Sequence, residues 1–250
     1  MNTAIQPPPN EPAPAGGVDK SDGRVRAMFG EIAPKYDRMN HLLSMQTDRY
    51  WRWWTVRRLA PHVNGPVLDL CTGTGDLALA FDAALGGRQP VIGADFCHPM
   101  LAIGRAKGAK RGGRVRFVHA DAQRLPFPDA SFDLVTVAFG LRNVADTDLG
   151  LREIARVCRP GGRMAVLEFT MPRFAPLRVA YAWYFRNVLP RIGQLLARNR
   201  SSAYEYLPSS VGEFPMYQEL ADRMTRAGWS DVRFRPLTFG VATLYEGVRR

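Results

Sequence analysis

The chain has 250 residues, 46% of them apolar and 23% charged, a globular composition that is ample for one α/β domain and a single core. Lys and Arg number 34 against 23 Asp and Glu, a net charge of +11 that implies attraction to nucleic acid or to an anionic membrane face. Cys71, Cys97 and Cys158 form no C-x-x-C, and His41, His62, His98 and His119 share no ligand spacing, so a disulfide framework and a structural metal are excluded, and no run approaches the ~18 uncharged apolar residues of a membrane span.

The first 23 residues carry Pro7, Pro8, Pro9, Pro12, Pro14, Gly16 and Gly17 and almost no large apolar side chains, which predicts a disordered tail without a signal peptide. Met28, Phe29, Ile32, Tyr36, Met39 and Leu43 recur at helical steps around Pro34, so two short capping helices should meet near Ala33. A third follows from about Asp48 to Leu59. Its Trp51, Trp53 and Trp54 cannot all face the core, and some of them suit a flat aromatic or isoprenoid ligand. These helices make a cap over about residues 24–62, and the main domain occupies 63–250.

Val67, Leu68 and Leu70 read as a buried strand that Gly73-Thr74-Gly75 turns into a helix from Leu77 to Leu85, a unit built for a nucleotide-type ligand. Gly73 to Ala78 satisfies G-x-G-x-x-A with Asp95 20 positions after Gly75, so a dinucleotide reductase is one reading. Asp76 in the first helical turn and Asp69 just upstream disfavour a pyrophosphate. They suit a ligand with a cationic end, such as S-adenosylmethionine. Alternation continues through strands at Val91–Asp95, Val115–Val118, Leu134–Phe139 and Arg163–Phe169, with helices over Pro99–Lys107 and Asp146–Val157. That order predicts an α/β, doubly wound, mostly parallel sheet with its ligand outside the strands' carboxyl ends. Asp69, Asp95 and Asp121 all fall there. Asp95 would accept from ribose hydroxyls and Asp121 from an adenine amine, with Ala122 adding backbone contacts.

Between Pro172 and Ala203 stand six arginines (Arg173, Arg178, Arg186, Arg191, Arg198, Arg200) and no acid, while Leu177, Tyr181, Tyr184, Val188, Ile192 and Leu195 keep helical spacing with a kink at Pro190. This basic amphipathic insertion is suited to an anionic bilayer surface or to a lid. Met216–Ala227 then reads as a helix closed by Gly228, followed by a strand pair at Val232–Leu237 and Val241–Val248.

Several stretches carry a resemblance: Phe29 to Ser44, Leu68 to Asp76, Leu125 to Asp133, Phe139-Gly-Leu-Arg-Asn143, Arg159-Pro-Gly-Gly162, Leu167-Glu-Phe169, Leu189 to Gly193 and Tyr206 to Val211. Through them the chain, from about Val25 onward, resembles the ubiquinone/menaquinone-biosynthesis C-methyltransferases within the class I S-adenosylmethionine-dependent, Rossmann-like methyltransferases. The resemblance implies seven strands with the last antiparallel. It implies C-methylation of a prenylated quinol: demethylmenaquinol by the Tyr-Leu-Pro-x-Ser-Val stretch, the equivalent benzoquinol as alternative. A nucleic-acid methyltransferase is the rival from another class, but the N-P-P-Y motif of base flippers is missing.

The cofactor set is then Asp69, Gly73, Thr74, Gly75, Asp95, Phe96, Met100, Asp121, Ala122 and Ala138, the last by its backbone because the family often has Ser there. A ring carbon becomes nucleophilic when a neighbouring hydroxyl ionises, and a phenol's pKa is near 10. Arg142 is expected to hold the phenolate and Asn143 to orient it, with Tyr36 and Asp37 completing a relay. Expected partners are the quinol and an anionic membrane face, with no nucleic acid and no metal. The expected location is cytoplasmic, peripheral on the inner face of the cell membrane, and a homodimer stays open.

Overall fold

In a computed structural model, residues 18–188, 191 and 203–250 are described. Seven strands form one sheet: β1 (Val67–Leu70), β2 (Val91–Asp95), β3 (Arg116–His119), β4 (Phe132–Ala138), β5 (Cys158–Phe169), β6 (Trp229–Leu237) and β7 (Ala242–Arg249), in the order β3-β2-β1-β4-β5-β7-β6. β1 to β5 pair in parallel, β7 runs antiparallel to β5, and β6 antiparallel to β7. Strand order reverses at β1, whose neighbours are β2 and β4. A crevice therefore opens beyond the carboxyl ends of β1 and β4, where doubly wound sheets hold ligands.

Side chains alternate across the pleat and separate the core into two layers. Leu68, Leu70, Val135, Val137 and Val166 pack on one face with Leu151 and Ile154 of α6 (Thr147–Val157). Leu220 and Met224 of a late helix (Gln218–Arg226) join them. Val67, Leu134, Ala165 and Leu167 pack on the other face against Leu77, Phe81 and Leu85 of α4 (Asp76–Leu85) and against Trp51 and Leu59 of α3 (Thr47–Leu59). Burying a large apolar side chain contributes about 1.5–3 kcal/mol, so both layers are needed to hold the crevice open at one end of the sheet. Asp146 caps α6, accepting from Leu149 N–H at 2.9 Å.

The expected elements are present with shifted ends. β5 begins at Cys158 rather than Arg163, because Cys158 pairs with Phe132 across an irregularity in the β4–β5 register. α1 (Asp22–Ile32) and α2 (Tyr36–Leu43) meet through a 3₁₀ turn at Ala33–Lys35 that accommodates Pro34. The expected tail ends early: Val18 N–H donates to the Glu213 carboxylate at 3.0 Å and α1 begins at Asp22, so residues 18–23 belong to the fold. The rest of that tail, and the expected kink at Pro190 with Ile192, Leu195, Arg198 and Arg200, lie outside the described residues. α5 (His98–Lys110), α7 (Ala175–Trp183), a π-helical turn (Tyr184–Val188), α8 (Ala203–Glu213) and α9 (Gln218–Arg226) complete the chain. Trp51 is buried, Trp54 half-buried and Trp53 exposed, as one helix must divide three clustered rings.

Candidate active site

Two cavities meet at the switch point. The smaller, about 60 Å³, lies over the ends of β1, β2 and β4; the larger, about 390 Å³, extends under α2, α3 and α7. They share Phe29, Tyr36, Cys71, Gly73, Ala138 and Phe139 as a common wall.

Asp95, at the end of β2, is buried and accepts from Gly73 N–H and Cys97 N–H, each at 2.8 Å, one on each carboxylate oxygen. Burial raises its pKa, and each oxygen keeps a lone pair for a further donor. Asp121 Oδ1 accepts from Gln123 N–H at 2.8 Å, and Phe96, Met100 and Ala122 complete the floor. Asn143 lines the same space, and its Oδ1 is buried without a partner among the described residues. Two carboxylates, an orphaned amide oxygen and apolar walls fit an adenosine and its ribose hydroxyls.

Two expected cofactor residues, Gly75 and Asp69, act differently, and so does Asp76. Gly75 lines neither cavity. A Cβ there would sit 2.6 Å from the Phe117 ring, and its φ of +82° opens α4, so the position serves packing and backbone geometry. Asp69 is buried and commits its two oxygens to Thr72 Oγ1 (2.6 Å) and Thr136 Oγ1 (2.8 Å). Burial pushes its pKa up to about 6, and it holds the glycine turn against β4. Asp76 pairs with Lys107 (2.6 Å) and Arg52 (3.5 Å). Burial opposes ionisation there, yet these two cations keep its pKa below the usual range. Its charge is answered inside the protein and is no guide to the ligand's. Lys107 also meets Asp37 (2.7 Å) and Thr74 Oγ1 (2.9 Å), and the Thr74 hydroxyl donates to Asp37 at 2.6 Å.

Arg142 follows β4 in a 3₁₀ turn (Leu141–Asn143) and lines the larger cavity. Its guanidinium pairs with fully buried Glu168 at 3.0 Å, donates to Phe139 C=O and lies 5.4 Å from the Phe169 ring centre. Its Nε is buried without a partner among the described residues. Asn143 points to the smaller cavity, not beside Arg142 in the larger one, because adjacent residues of a tight turn diverge. Tyr36 faces both cavities, and burial raises its pKa. Sequence reasoning passed over Lys107, Arg52, Glu168 and the pair His41–Asp48. Glu168 alone left a signal: an acid inside the apolar strand Met164–Phe169.

The face of the insertion with helical spacing turns inward: Leu177, Tyr181 and Tyr184 line the larger cavity, and Tyr184 Oη donates to Leu43 C=O at 3.0 Å. The exposed large apolar side chains among the described residues fall in three segments: Leu42, Met45, Tyr50 and Trp53 of α2–α3, Phe174, Val179 and Trp183 at α7, and Phe239 between β6 and β7. Trp51 Nε1–H donates to Thr238 Oγ1 at 2.7 Å, so α2–α3 is tied to the Phe239 segment by this bond and to the α7 segment by Tyr184, and residues beside each segment line the larger cavity. No helix among the described residues is long and apolar enough to cross a membrane.

Sheet order, antiparallel last pair and crevice define a class I methyltransferase fold; a solved SAM-dependent methyltransferase from Thermotoga maritima superposes with TM-score 0.65 at 19% identity, covering 90% of this chain and 100% of that one. The chain belongs to the ubiE/COQ5 methyltransferase family, whose sequence model matches residues 18–249. It is 50% identical over 222 residues to the demethylmenaquinone methyltransferase of Thermus thermophilus (89% of this chain, 100% of that protein). It is 43% identical over 228 residues to the ubiquinone/menaquinone biosynthesis C-methyltransferase of Geobacter sp. strain M21 (90% and 96%). It is accordingly a methyltransferase, and S-adenosylmethionine is the methyl donor its family uses.

Proposed function

We propose that the enzyme methylates a ring carbon of a prenylated naphthoquinol, converting demethylmenaquinol to menaquinol at a membrane surface. One observation carries this: a large cavity walled by aromatic rings (Trp51, Phe139, Phe169, Tyr181, Phe185) shares a wall with the polar cavity that fits adenosine. Bound S-adenosylmethionine supplies an electrophilic methyl group on a sulfonium. Asp95 would hold its ribose, Asp121 and Asn143 its base, and Gly73 and Ala138 face it at the shared wall. Aromatic walls orient a flat ring and exclude water. The Arg142 guanidinium on this wall would stabilise the oxygen on which charge develops, a contribution of typically ~10²–10³ in rate. Arg142 stays protonated, so it stabilises charge and accepts no proton.

The membrane face rests on the three exposed apolar segments next to cavity-lining residues and on Arg38, Arg49, Arg178 and Arg186, all exposed in or beside the first two of them. Residues 38–59 and 172–188 contain one acid, Asp48, which is buried. Exposed apolar side chains and unopposed arginines together suit an anionic bilayer.

The test is methyl transfer from labelled S-adenosylmethionine to a reduced prenylated naphthoquinol and a reduced benzoquinol, side by side. Preference for the naphthoquinol is expected. Equal or better use of the benzoquinol moves the chain to the ubiquinone-type reading, and no transfer to either overturns the quinol assignment.

A further inference from the structure

We propose that His41 accepts the proton of the quinol hydroxyl, with Asp48 as its positioning residue; this rests on the quinol reading above. Both line the larger cavity, and His41 Nδ1 lies 2.7 Å from Asp48 Oδ2. Asp48 is buried, and its other oxygen accepts from the Ser44 hydroxyl at 2.7 Å while Arg52 pairs with Oδ2. Burial disfavours its charge, but Ser44, Arg52 and His41 outweigh that and keep its pKa below the usual range. An ionised carboxylate only accepts, so Nδ1 carries the hydrogen, and in the neutral imidazole Nε2 holds the lone pair. Nε2 has no hydrogen bond among the described residues.

Placement supports the role. Asp37 and His41 are four residues apart on α2 and both line the cavity, about one 5.4 Å turn apart along the same face. Asp37 bonds Thr74 of the glycine turn, so the imidazole stands one turn from the loop that faces the methyl donor.

The other carboxylates on the cavity wall each answer two donors of the protein's own. Asp37 gives its oxygens to Thr74 and Lys107, Asp76 to Lys107 and Arg52, and Asp69 to Thr72 and Thr136. Tyr36, Tyr181, Tyr184 and Tyr206 are phenols that burial makes harder to ionise. Burial does the same to the Cys71 thiol. Arg52 and Arg142 are cations. Among the described residues of the wall, His41 is the imidazole, and its Nε2 meets no donor or acceptor of the protein.

The step balances as follows. The hydroxyl proton passes to Nε2, giving an imidazolium beside the Asp48 carboxylate. Electron density from the oxygen reaches the adjacent ring carbon, which forms a bond to the methyl carbon as the carbon–sulfur bond breaks and sulfur keeps the pair. The methylated carbon loses its hydrogen to water as a proton, the ring oxygen takes its proton back from His41, and aromaticity returns. One proton is released per turnover.

Titratable and charged groups around His41 on this wall are Asp37 of its own helix, Asp48 and Arg52 of α3, Asp76 of α4 and Tyr184 after α7. Single-turnover methyl transfer should be followed from pH 5 to 9 for the parent, His41→Gln, His41→Ala and Asp48→Asn, with cofactor affinity measured on each. The parent rate should rise with pH along an acidic limb. His41→Gln should lose about 10²–10³-fold at pH 7, lose that limb, and recover only as the quinol itself ionises, with cofactor affinity unchanged. Added imidazole should restore part of the rate of His41→Ala. Asp48→Asn should move the limb to lower pH, because the imidazolium loses its carboxylate. A His41→Gln enzyme with the parental rate and limb overturns the proposal, as does a slow His41→Ala enzyme that imidazole does not rescue. If the parent methylates neither quinol, the substrate reading fails and takes this proposal with it.

Discussion

The two cavities are built in different ways. The smaller one draws its polar groups from loops at the ends of successive strands: Gly73 after β1, Asp95 in β2, Asp121 after β3 and Asn143 after β4. The larger one adds to the glycine turn and the start of α4 pieces from α1 to α3, the ends of β4 and β5, α7 and α8. The ends of these pieces meet only in the fold. A site made by strand-end loops is fixed by the sheet, so its substitutions should act on cofactor affinity. A site made by distant pieces is fixed by polar pairs such as the Arg142–Glu168 ion pair and the His41–Asp48 hydrogen bond. Its substitutions should act on turnover and stability together.

The largest effect expected is at Arg142. Arg142→Met should cut turnover ~10²–10³-fold at saturating quinol, and by stranding the Glu168 charge should cost about 3–5 kcal/mol of stability. Arg142→Met with Glu168→Met should regain most of that stability by denaturant titration and none of the turnover. If the double variant turns over normally, the guanidinium has no role in the reaction.

Next comes Asp95. Asp95→Ala should weaken S-adenosylmethionine binding by roughly 2–4 kcal/mol, the loss of two hydroxyl bonds to a carboxylate, without changing quinone affinity. Calorimetry on both ligands checks the separation; a matching loss of quinone affinity would merge the two sites into one.

Asp69 sharpens the comparison through pH. Burial raises its carboxyl from 3.8 to about 6, so the folded state holds a proton that the unfolded state has released. Its stabilising contribution is full below about pH 4 and is lost as pH rises through about 6, to a total of about 3 kcal/mol. The parent should therefore gain on Asp69→Asn in unfolding free energy between pH 7 and pH 4.5. A difference that does not vary with pH would show that Asp69 is ionised throughout.

Much of the fold was legible because its signals are local. Val67 to Leu85 is a strand, a tight turn and a helix in consecutive residues, and the alternation after it left few alternatives to a doubly wound sheet. Asp95 and Asp121 could be located by their position at strand ends alone. Gly75 was misread because the atoms that exclude a side chain there belong to Phe117 of β3. The insertion read equally as a bilayer-surface segment or a lid, and the choice was hidden, since it depends on Tyr184 meeting Leu43 of α2. His41 and Asp48 looked like a scattered histidine and a helix-start acid. Their pairing needs the left-handed turn at Met45 and Gln46 that folds α3 back on α2.

The smallest effect concerns the rim. Phe239→Ser should weaken binding to anionic vesicles by about 1 kcal/mol, part of the value of a fully buried side chain. An exposed site should change fold stability by no more than about 0.5 kcal/mol. Unchanged co-sedimentation would remove Phe239 from the membrane face.

The most direct measurement is a crystal structure of the ternary complex with S-adenosylhomocysteine and a prenylated naphthoquinone. The predicted result has the ribose on Asp95 in the smaller cavity and the quinone ring among Phe139, Phe169 and Tyr181 in the larger. Tyr36 and Ala138 should touch both ligands. A quinone ring bound outside the larger cavity, or an adenosine inside it, would contradict the account.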